Sequence, residues 1–477
     1  MESETFIRLF RDLTGETPEK LYPLNRGGSD RNYYRLHYRD ISVIGCVNDD
    51  LSENEAFFHI SEVFKQNGIN VPEVLAVSSD RLYYLMSDLG DRDLYSMVTK
   101  RETDELPGDL LEMYKKSLAM LVKVQSIGID QFNQNLFYPV RSFNQVSIDW
   151  DLNYFKYYFL KPSGISFNER KLHADFETLT NLVLNDRRSF FMYRDFQSRN
   201  IMIKDGQPWF IDYQGGRKGS LGYDVASLLF QAKAKLTKED RQLLLDFYKD
   251  ELVSHIDYTD NNFDHYFYPI ALLRTLQVLG AYGFRGVYQR KAHFLSSILP
   301  ALNNLSEILD HLKALHRVLE LGRCLRALLA DADKYKVNKS TKFRLVVSSF
   351  SYINGGVPSD YTGHGGGYAF DCRLLPNPGR EEQYKQLTGM DTTVQEYLQK
   401  HDEVADYIDD TLVLVKKHID RYLERGFSYL SVSYGCTGGQ HRSVYCAEQA
   451  AAKLKRLYPD LEIQVNHVAQ HKTYLCP

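Results

Sequence analysis

The sequence predicts an α+β domain of two lobes followed by a smaller α/β domain, and three features of its 477 residues support this fold class. Strand-like segments come first, and helical spacing of apolar residues then dominates as far as Leu329. A polar bridge with little apolar content follows. Beyond it strands and helices alternate, which is typical of an α/β domain. The expected organisation is a first domain over residues 1–328, a linker over 329–342 and a second domain over 343–477.

The first lobe is predicted to be a small sheet with one helix. Residues 24–47 should form two strands on either side of the turn-rich sequence NRGGSDRN. A helix should follow from Ser52, because Ser52 and Glu55 fit the capping-box pattern. The segments VPEVLAV and RLYYLMSDL then predict a further pair of strands.

A tight hairpin is predicted inside the stretch FFMYRDFQSRNIMIKDGQPWFIDY, which runs from Phe190 to Tyr213. Asp205-Gly206 is the sequence of a two-residue type I′ turn. This turn would set the pairing of Lys204 with Gln207, Met202 with Trp209 and Asn200 with Ile211. Asn200 and Asp212 should therefore meet at the open end of the hairpin.

The polar residues around this hairpin are suited to phosphoryl transfer. Mg²⁺ is usually held by one or two oxygen ligands from the protein together with substrate phosphates, and Asn200 and Asp212 would provide such oxygens. Asp195 lies on the preceding loop, five residues before Asn200, and would orient the hydroxyl group of a substrate that acts as the nucleophile. An ordinary hairpin with polar ends is the simpler alternative, but three matched positions favour phosphoryl transfer.

YRDFQSRN followed by IDYQ resembles the catalytic and metal-binding motifs of the aminoglycoside phosphotransferase family, a small-molecule branch of the protein-kinase-like fold. The resemblance covers roughly residues 5–325, and LYYLMSDLGDRDL and DWDLNYFKYYFL look most like bacterial N-acetylmuramate/N-acetylglucosamine anomeric kinases. It implies ATP and Mg²⁺ as cofactors. The roles it implies are a catalytic base at Asp195, metal ligands at Asn200 and Asp212, a phosphate loop at Gly27, Gly28, Ser29 and Asp30, adenine contacts from Met86 to Asp88, and structural support from Asp224.

Two positions depart from that family pattern. Tyr193 stands where the family often has His, and an aromatic residue can keep the loop packed. The predicted third strand, ISVIGCV, has no lysine to pair with nucleotide phosphates, although the anomeric kinases also tend to lack it. Glu55, a possible partner for such a lysine, is explained about as well by the capping box. A catalytically silent, kinase-like metabolite sensor therefore stays open as an alternative.

In the second domain, SYLSVSYGCTGGQHRSVYCAEQ predicts a strand, a glycine-rich loop and a helix. Backbone N–H groups of such a loop and the positive end of the helix dipole form a cradle for anions. Arg442 could add a bidentate contact to phosphate oxygens. A simple glycine-rich connection is one alternative. A phosphatase is another, because Cys436 to Ser443 fits CxxGxxR(S/T) and a thiol at a helix N-terminus beside arginine can attack phosphorus.

FRLVVSSFSY, FDCRLLPNP, LTGMD and GCTGGQHRSVYCAEQ together closely resemble the C-terminal domain of the RapZ family of RNase adaptor proteins, over roughly residues 343–472. The resemblance implies glucosamine-6-phosphate sensing at a phosphosugar pocket formed by Cys436, Thr437, Gly438, Gly439, Gln440, His441, Arg442 and Ser443. The ATP-binding domain that normally precedes this domain is absent, and no GxxxxGK(S/T) occurs. GHGGG is inserted ahead of FDCR and the ending AQHKTYLCP lacks a basic tail, so RNA binding is not inherited from the resemblance.

Composition limits the remaining possibilities. A balance of 58 basic and 62 acidic residues gives a formal charge of -4, which leaves no overall electrostatic footprint for nucleic acid or an anionic membrane. Six cysteines without CxxC pairs argue against a zinc site or a disulfide framework and favour a reducing compartment. We therefore expect a cytoplasmic, ATP-dependent sugar kinase with a phosphosugar-binding domain and no membrane partner. An RNA or protein partner stays open.

Overall fold

The computed structural model describes residues 2–24, 31–101, 105–186, 189–256, 263–289, 291–312, 315–336, 343–358, 360 and 367–477. The chain divides into two units. The first comprises Met1–Asn153, Phe167–Val278 and Pro300–Leu325, and the second comprises Tyr154–Ser166, Leu279–Leu299 and Arg326–Pro477.

Within the described residues the strands are β1 (Lys20–Pro23), β2 (Asn32–Tyr38), β3 (Ile41–Val47), β4 (Val74–Val77), β5 (Tyr83–Ser87), β6 (Phe190–Met192), β7 (Ile201–Lys204), β8 (Gln207–Phe210), β9 (Arg217–Gly219), β10 (Arg344–Ser351), β11 (Gly367–Asp371), β12 (Tyr429–Cys436), β13 (Glu462–His467) and β14 (Lys472–Leu475).

The α-helices are α1 (Glu2–Thr14), α2 (Leu51–Gln66), α3 (Leu94–Thr99), α4 (Gly108–Ser126), α5 (Gln145–Phe155), α6 (Glu169–Leu184), α7 (Gly222–Leu229), α8 (Lys238–His255), α9 (Phe263–Tyr282), α10 (Ala292–Leu295), α11 (Ile298–His311), α12 (Leu319–Ala330), α13 (Thr392–Gln399), α14 (Asp402–Glu424) and α15 (Arg442–Leu457). Helices α5 and α9 continue into π-helical segments over Lys156–Leu160 and Gly283–Tyr288. None of the helices in these described ranges combines the length and apolar content needed to cross a bilayer.

The first unit begins with a five-stranded antiparallel sheet in the order β1-β2-β3-β5-β4. Helix α1, which the sequence patterns did not predict, packs Phe6 and Phe10 against apolar side chains of this sheet. Gly45 on β3 leaves room for the packing, because a Cβ there would lie 2.8 Å from the Phe6 ring. The predicted α+β first lobe is therefore present, with one more helix than expected.

The strands expected on either side of NRGGSDRN are present as β1 and β2, which pair antiparallel, although β1 ends at Pro23, just before the expected range of 24–47. Strand β3 follows β2 after a turn at Arg39, a residue with φ +49°. The expected start of the next helix is wrong. Helix α2 begins one residue earlier than expected, because Asp50 is the N-cap and accepts the Glu53 backbone N–H at 3.1 Å. The expected capping box is not formed, and Glu55 pairs with Arg81 on the exposed side of the helix.

The second unit contains a sheet in the order β11-β12-β10-β13-β14, in which the first four strands are parallel and β14 is antiparallel. Its core contains Leu345, Val347, Val432 and Ile463. The long helix expected over 394–424 is two helices, α13 and α14, because His401 has an extended backbone and Asp402 begins a new first turn. In this register Ser351 lies opposite Cys436 at the carboxyl ends of β10 and β12.

Candidate functional site

The predicted hairpin forms with the predicted register. β7 and β8 pair Met202 with Trp209 and Lys204 with Gln207. Asp205 and Gly206 have φ values of 52° and 68°, as a type I′ turn requires at both central positions. At the open end the backbone N–H of Ile211 donates to the Asn200 carbonyl at 3.1 Å. The local sequence alone therefore specified the geometry that brings Asn200 next to Asp212.

The three polar residues predicted for catalysis and metal binding lie together. The Asn200 Nδ2 donates to the main-chain carbonyl of Asp195 at 2.8 Å and to Asp212 Oδ2 at 3.3 Å. Because both of these neighbours are acceptors, the amide nitrogen must face them, and Asn200 Oδ1 is left for another partner. The arrangement places two carboxylates and one amide oxygen around one position.

The Asp195 carboxylate is about one-third exposed, and besides a long contact from Asn200 Nδ2 to Oδ2 at 3.5 Å it is held by three closer donors. Gln197 Nε2 and Arg274 Nη2 donate to Oδ1 at 2.6 and 3.3 Å, and Arg199 Nη2 donates to Oδ2 at 3.2 Å. Arg274 is a buried residue of α9 that also donates to the Ser227 hydroxyl at 2.7 Å. No sequence pattern points to Arg274, because it lies 79 residues from Asp195 and belongs to no local motif.

The fully buried carboxylate of Asp224 holds the backbone of the loop that carries Asp195. Asp224 accepts the backbone N–H groups of Tyr193 at 2.7 Å and of Arg194 at 2.8 Å, which matches its predicted supporting role. Burial raises the pKa of Asp224 to about 7, and these two N–H groups act in the opposite direction. Arg194 has φ +81°, and its Nη2 donates to both carboxylate oxygens of Asp151, at 2.8 and 2.9 Å. Strained backbone of this kind is common at functional sites.

Tyr193 occupies the position where the aminoglycoside phosphotransferase pattern often has histidine. Its ring is buried and lies 5.3 Å from the Phe196 ring, and its hydroxyl donates to the Ile211 carbonyl. The residue therefore links the catalytic loop to the strand end that carries Asp212, as expected for an aromatic that keeps the loop packed.

The residues around Asp212 fit a hydrated divalent cation. Burial and the neighbouring Asp195 charge raise the pKa of Asp212, so a cation here would offset an unfavourable negative charge. Gln214 Nε2 donates to Asp212 Oδ1 at 2.9 Å. Gln214 Oε1 is buried and has no hydrogen-bond partner within the described part of the chain, so a metal-bound water could satisfy it. Oxygen-only ligands of this kind suit Mg²⁺.

The predicted nucleotide contacts divide into two groups. Gly27, Gly28, Ser29 and Asp30 lie outside the described residues. Met86 is half-buried on β5, opposite Ile44 of β3. The Asp88 carboxylate is occupied by Arg35 Nε at 2.8 Å and the Ser42 hydroxyl at 2.5 Å. The Asp88 carbonyl accepts Lys204 Nζ at 3.2 Å. A contact between Met86 or Asp88 and adenine stays a prediction.

In the second unit the predicted glycine-rich loop connects β12 to α15. The Cys436 thiol lies 3.1 Å from the Ser443 hydroxyl, and both are buried. A cavity of about 220 Å³ adjoins the loop. It is lined by Cys436, Thr437, Gly438, Gln440, His441 and Arg442, together with Asn377, Gly379 and Lys385. The sequence analysis did not assign the last three residues to the pocket. Asn377 lies in the quoted FDCRLLPNP stretch, which carried no site prediction, and Gly379 and Lys385 lie outside the quoted motifs.

Several loop side chains hold neighbouring backbone. Arg442 Nη1 donates to the carbonyls of Arg373 at 2.9 Å and Leu375 at 3.1 Å. Gln440 Nε2 donates to the Leu387 carbonyl at 2.6 Å. Gly439 has φ +68°, and a Cβ there would lie 2.8 Å from the Ala469 Cβ, so only glycine fits without strain. The loop is therefore fixed in shape, and its contact with a phosphosugar stays a prediction.

A larger cavity, about 610 Å³, lies among helices of the first unit and contains none of the predicted site residues. Arg241 and Glu307 line it and form an ion pair with Arg241 Nε 3.0 Å from Glu307 Oε1. Because these two charged groups pair with each other, we place the candidate active site at Asp195 and not in this larger cavity.

Two family comparisons match separate parts of the chain. Residues 20–257 match the phosphotransferase enzyme family, and residues 343–471 match the RapZ C-terminal domain. Both resemblances stated from the sequence motifs are therefore confirmed, as is the fold class of a kinase-like two-lobed domain followed by a smaller α/β domain.

Individual relatives match only in part. A nucleotide-binding protein of Polynucleobacter asymbioticus is 31% identical over 37% of this chain and 58% of its own length. One from Methylobacillus flagellatus is 34% identical over 35% of this chain and 59% of its own length. The chain thus spans under two-thirds of each. A choline kinase structure from Cryptosporidium parvum superposes with a TM-score of 0.44 at 11% identity, covering 68% of this chain and 99% of the kinase.

Proposed function

The chain joins a phosphotransferase-family domain to a RapZ C-terminal domain, and from this premise we propose that it is an ATP-dependent kinase of a sugar hydroxyl with a phosphosugar-binding second domain. The observation that carries the proposal is the position of Asn200, 2.8 Å from the Asp195 carbonyl and 3.3 Å from the Asp212 carboxylate. It brings a candidate base and a candidate metal site to one place on a rigid hairpin.

Each residue of the site has a proposed task. Asp195 accepts the proton of the attacking hydroxyl, and Gln197 and Arg274 hold its carboxylate in one orientation. Asp212 and Asn200 hold Mg²⁺ jointly with the nucleotide. When bound, Mg·ATP supplies the phosphoryl group and neutralises charge that develops on its oxygens. Positioning and electrostatics are the protein's main contributions to such a transfer.

The substrate that we propose is an amino sugar such as N-acetylmuramate or N-acetylglucosamine. Support comes from the resemblance of LYYLMSDLGDRDL and DWDLNYFKYYFL to the anomeric sugar kinases. Within the second of these segments, Asp151 pairs with Arg194 of the catalytic loop. A coupled assay of ATP consumption with N-acetylglucosamine, N-acetylmuramate, glucosamine and aminoglycosides tests the proposal. Turnover that depends on one of the amino sugars is expected, whereas no turnover with any acceptor would favour the silent metabolite sensor.

For the second domain we propose that the loop from Cys436 to Ser443 holds the phosphate of a phosphosugar such as glucosamine-6-phosphate. Support comes from the fixed glycine-rich loop at a helix N-terminus and from Lys385, a further cation lining the same cavity. A cytoplasmic location would fit both sugar ligands. Direct titration of glucosamine-6-phosphate into the full chain tests this binding.

A phosphatase is kept as a second candidate because of one specific contact. The Ser443 hydroxyl lies 3.1 Å from the Cys436 thiol, where it could stabilise a thiolate. Hydrolysis of an aryl phosphate by the wild-type protein, lost on Cys436→Ser, would support this function. We favour binding over hydrolysis, since the whole stretch 343–471, and not only the loop, matches the RapZ C-terminal domain, a resemblance that implies a phosphosugar pocket.

A further inference from the structure

A chain of polar contacts leads from Arg31, the residue before β2, to the proposed metal site. Arg31 Nη2 lies 3.0 Å from Glu53 Oε1, and the Arg31 side chain is only 2% exposed. The same Glu53 oxygen accepts Gln214 Nε2 at 3.4 Å. Gln214 Nε2 in turn donates to Asp212 Oδ1 at 2.9 Å. Four side chains from three separate segments are thus connected in series.

Glu53 is held on both sides and cannot move freely. Its second oxygen, Oε2, accepts Asn48 Nδ2 at 2.9 Å. Its backbone N–H donates to the side chain of Asp50, the N-cap residue of α2, at 3.1 Å. Glu55, two residues further along the same helix, instead forms an exposed pair with Arg81. The helix therefore carries one glutamate directed to the site and one directed to solvent.

We propose that Arg31, Glu53 and Gln214 form a positioning relay that fixes the Asp212 carboxylate for the metal, and that Arg31, the residue before β2, supplies the small-lobe cation that β3 lacks. In kinases of this general fold, a lysine on the third strand pairs with a glutamate of the following helix. Here α2 is the helix that follows β3, and its inward glutamate already has a cationic partner. The inference rests on the proposed kinase function.

The physical role of the relay is to orient a ligand and balance its charge. Groups that hydrogen-bond a metal-binding carboxylate fix its direction, and their loss typically weakens metal affinity. Arg31 also brings a positive charge into this series of contacts, near the negative charges of Asp195 and Asp212. The three relay residues act through Asp212 and need not touch the nucleotide.

The test measures ADP binding to the full chain by calorimetry across a Mg²⁺ titration. Glu53→Gln and Gln214→Met should raise the Mg²⁺ concentration needed for half-maximal binding about 10- to 100-fold. Arg31→Lys should retain most of the wild-type Mg²⁺ dependence, because it keeps the charge. Glu55→Gln is the matched control and should leave the Mg²⁺ dependence unchanged.

A purely structural role predicts a different result. Glu53→Gln leaves Arg31 buried without its anionic partner, so the double variant Arg31→Met with Glu53→Met is needed to remove both charges. The double variant should recover thermal stability and still show the shifted Mg²⁺ dependence. If the folded double variant shows the Mg²⁺ dependence of the wild type, the relay proposal is overturned and the kinase proposal is not affected. A wild-type protein that binds no ADP at any Mg²⁺ concentration would overturn the kinase proposal as well.

Discussion

The side-chain amide of Asn200 donates to Oδ2 of the Asp212 carboxylate across 3.3 Å, at the open end of a hairpin of two four-residue strands. The two-residue turn at the other end fixes the hairpin register, and the register in turn places these two residues side by side. A metal held here would therefore be tied to rigid backbone instead of to a long loop. The first prediction follows from this contact.

Asp212→Ala should abolish the Mg²⁺-dependent part of nucleotide binding, because it removes the one carboxylate that both Asn200 and Gln214 orient. Calorimetric titration of ADP with and without Mg²⁺ measures this directly, and the wild-type protein without Mg²⁺ gives the baseline. Nucleotide affinity that is the same in the variant and the wild type under both conditions would favour the silent sensor.

Asp224 should make stability depend on pH. Burial raises its pKa to about 7 from an ordinary value of 3.8. The folded state therefore retains a proton that the unfolded state has released, and this contribution to the free energy of unfolding is lost as pH rises through about 7. On going from about pH 5 to about pH 8, the wild type should lose more stability in urea unfolding than Asp224→Asn does. Equal losses in the two proteins would contradict the assignment.

The glycine-rich loop offers a matched pair of substitutions. Gly439 has φ +68° and no room for a Cβ, whereas a Cβ at Gly438 meets nothing within 4 Å. Gly439→Ala should destabilise the protein by about 1–3 kcal/mol, the usual cost of such backbone strain. Gly438→Ala should be nearly neutral in thermal unfolding. The same melting temperature for both variants would mean that the loop adopts another conformation.

Arg442 and Cys436 separate binding from hydrolysis. If the loop only holds a phosphosugar, Arg442→Ala should weaken glucosamine-6-phosphate binding about ten- to a hundredfold through the loss of charge-assisted hydrogen bonds. Cys436→Ser should then change affinity little. Calorimetry and aryl-phosphate hydrolysis on both variants give the answer. Robust hydrolysis that requires Cys436 would replace the binding proposal with the phosphatase.

Local sequence predicted those parts of the site that local geometry determines. The Asp205-Gly206 turn specified the hairpin register, and the sequence from Cys436 to Ser443 specified a strand, a loop and a helix. Helix α2 shows where local patterns fail, because Asp50 and Ser52 both fit an N-cap. Asp50 also accepts the Tyr138 hydroxyl at 2.7 Å from 88 residues away, a contact that no local pattern contains.

The residues that sequence analysis missed share a long separation from the motifs that they support. Arg274 reaches Asp195 from 79 residues away, and Glu53 reaches Gln214 of the IDYQ motif from 161 residues away. Lys385 reaches the cavity beside Arg442 from an irregular segment. Packing of the whole domain brings such groups together, so their roles become visible only in three dimensions.

The most direct test of the central claim compares sugar-dependent ATP turnover of the wild type with that of Asp195→Asn. The amide cannot accept the hydroxyl proton, so the rate should fall about 10²- to 10⁴-fold. Asp205→Asn, the same change at the exposed turn of the same hairpin, is the control, because asparagine tolerates the left-handed backbone at φ +52° and should keep the wild-type rate. An Asp195→Asn protein that turns over ATP as fast as the wild type would contradict the kinase assignment.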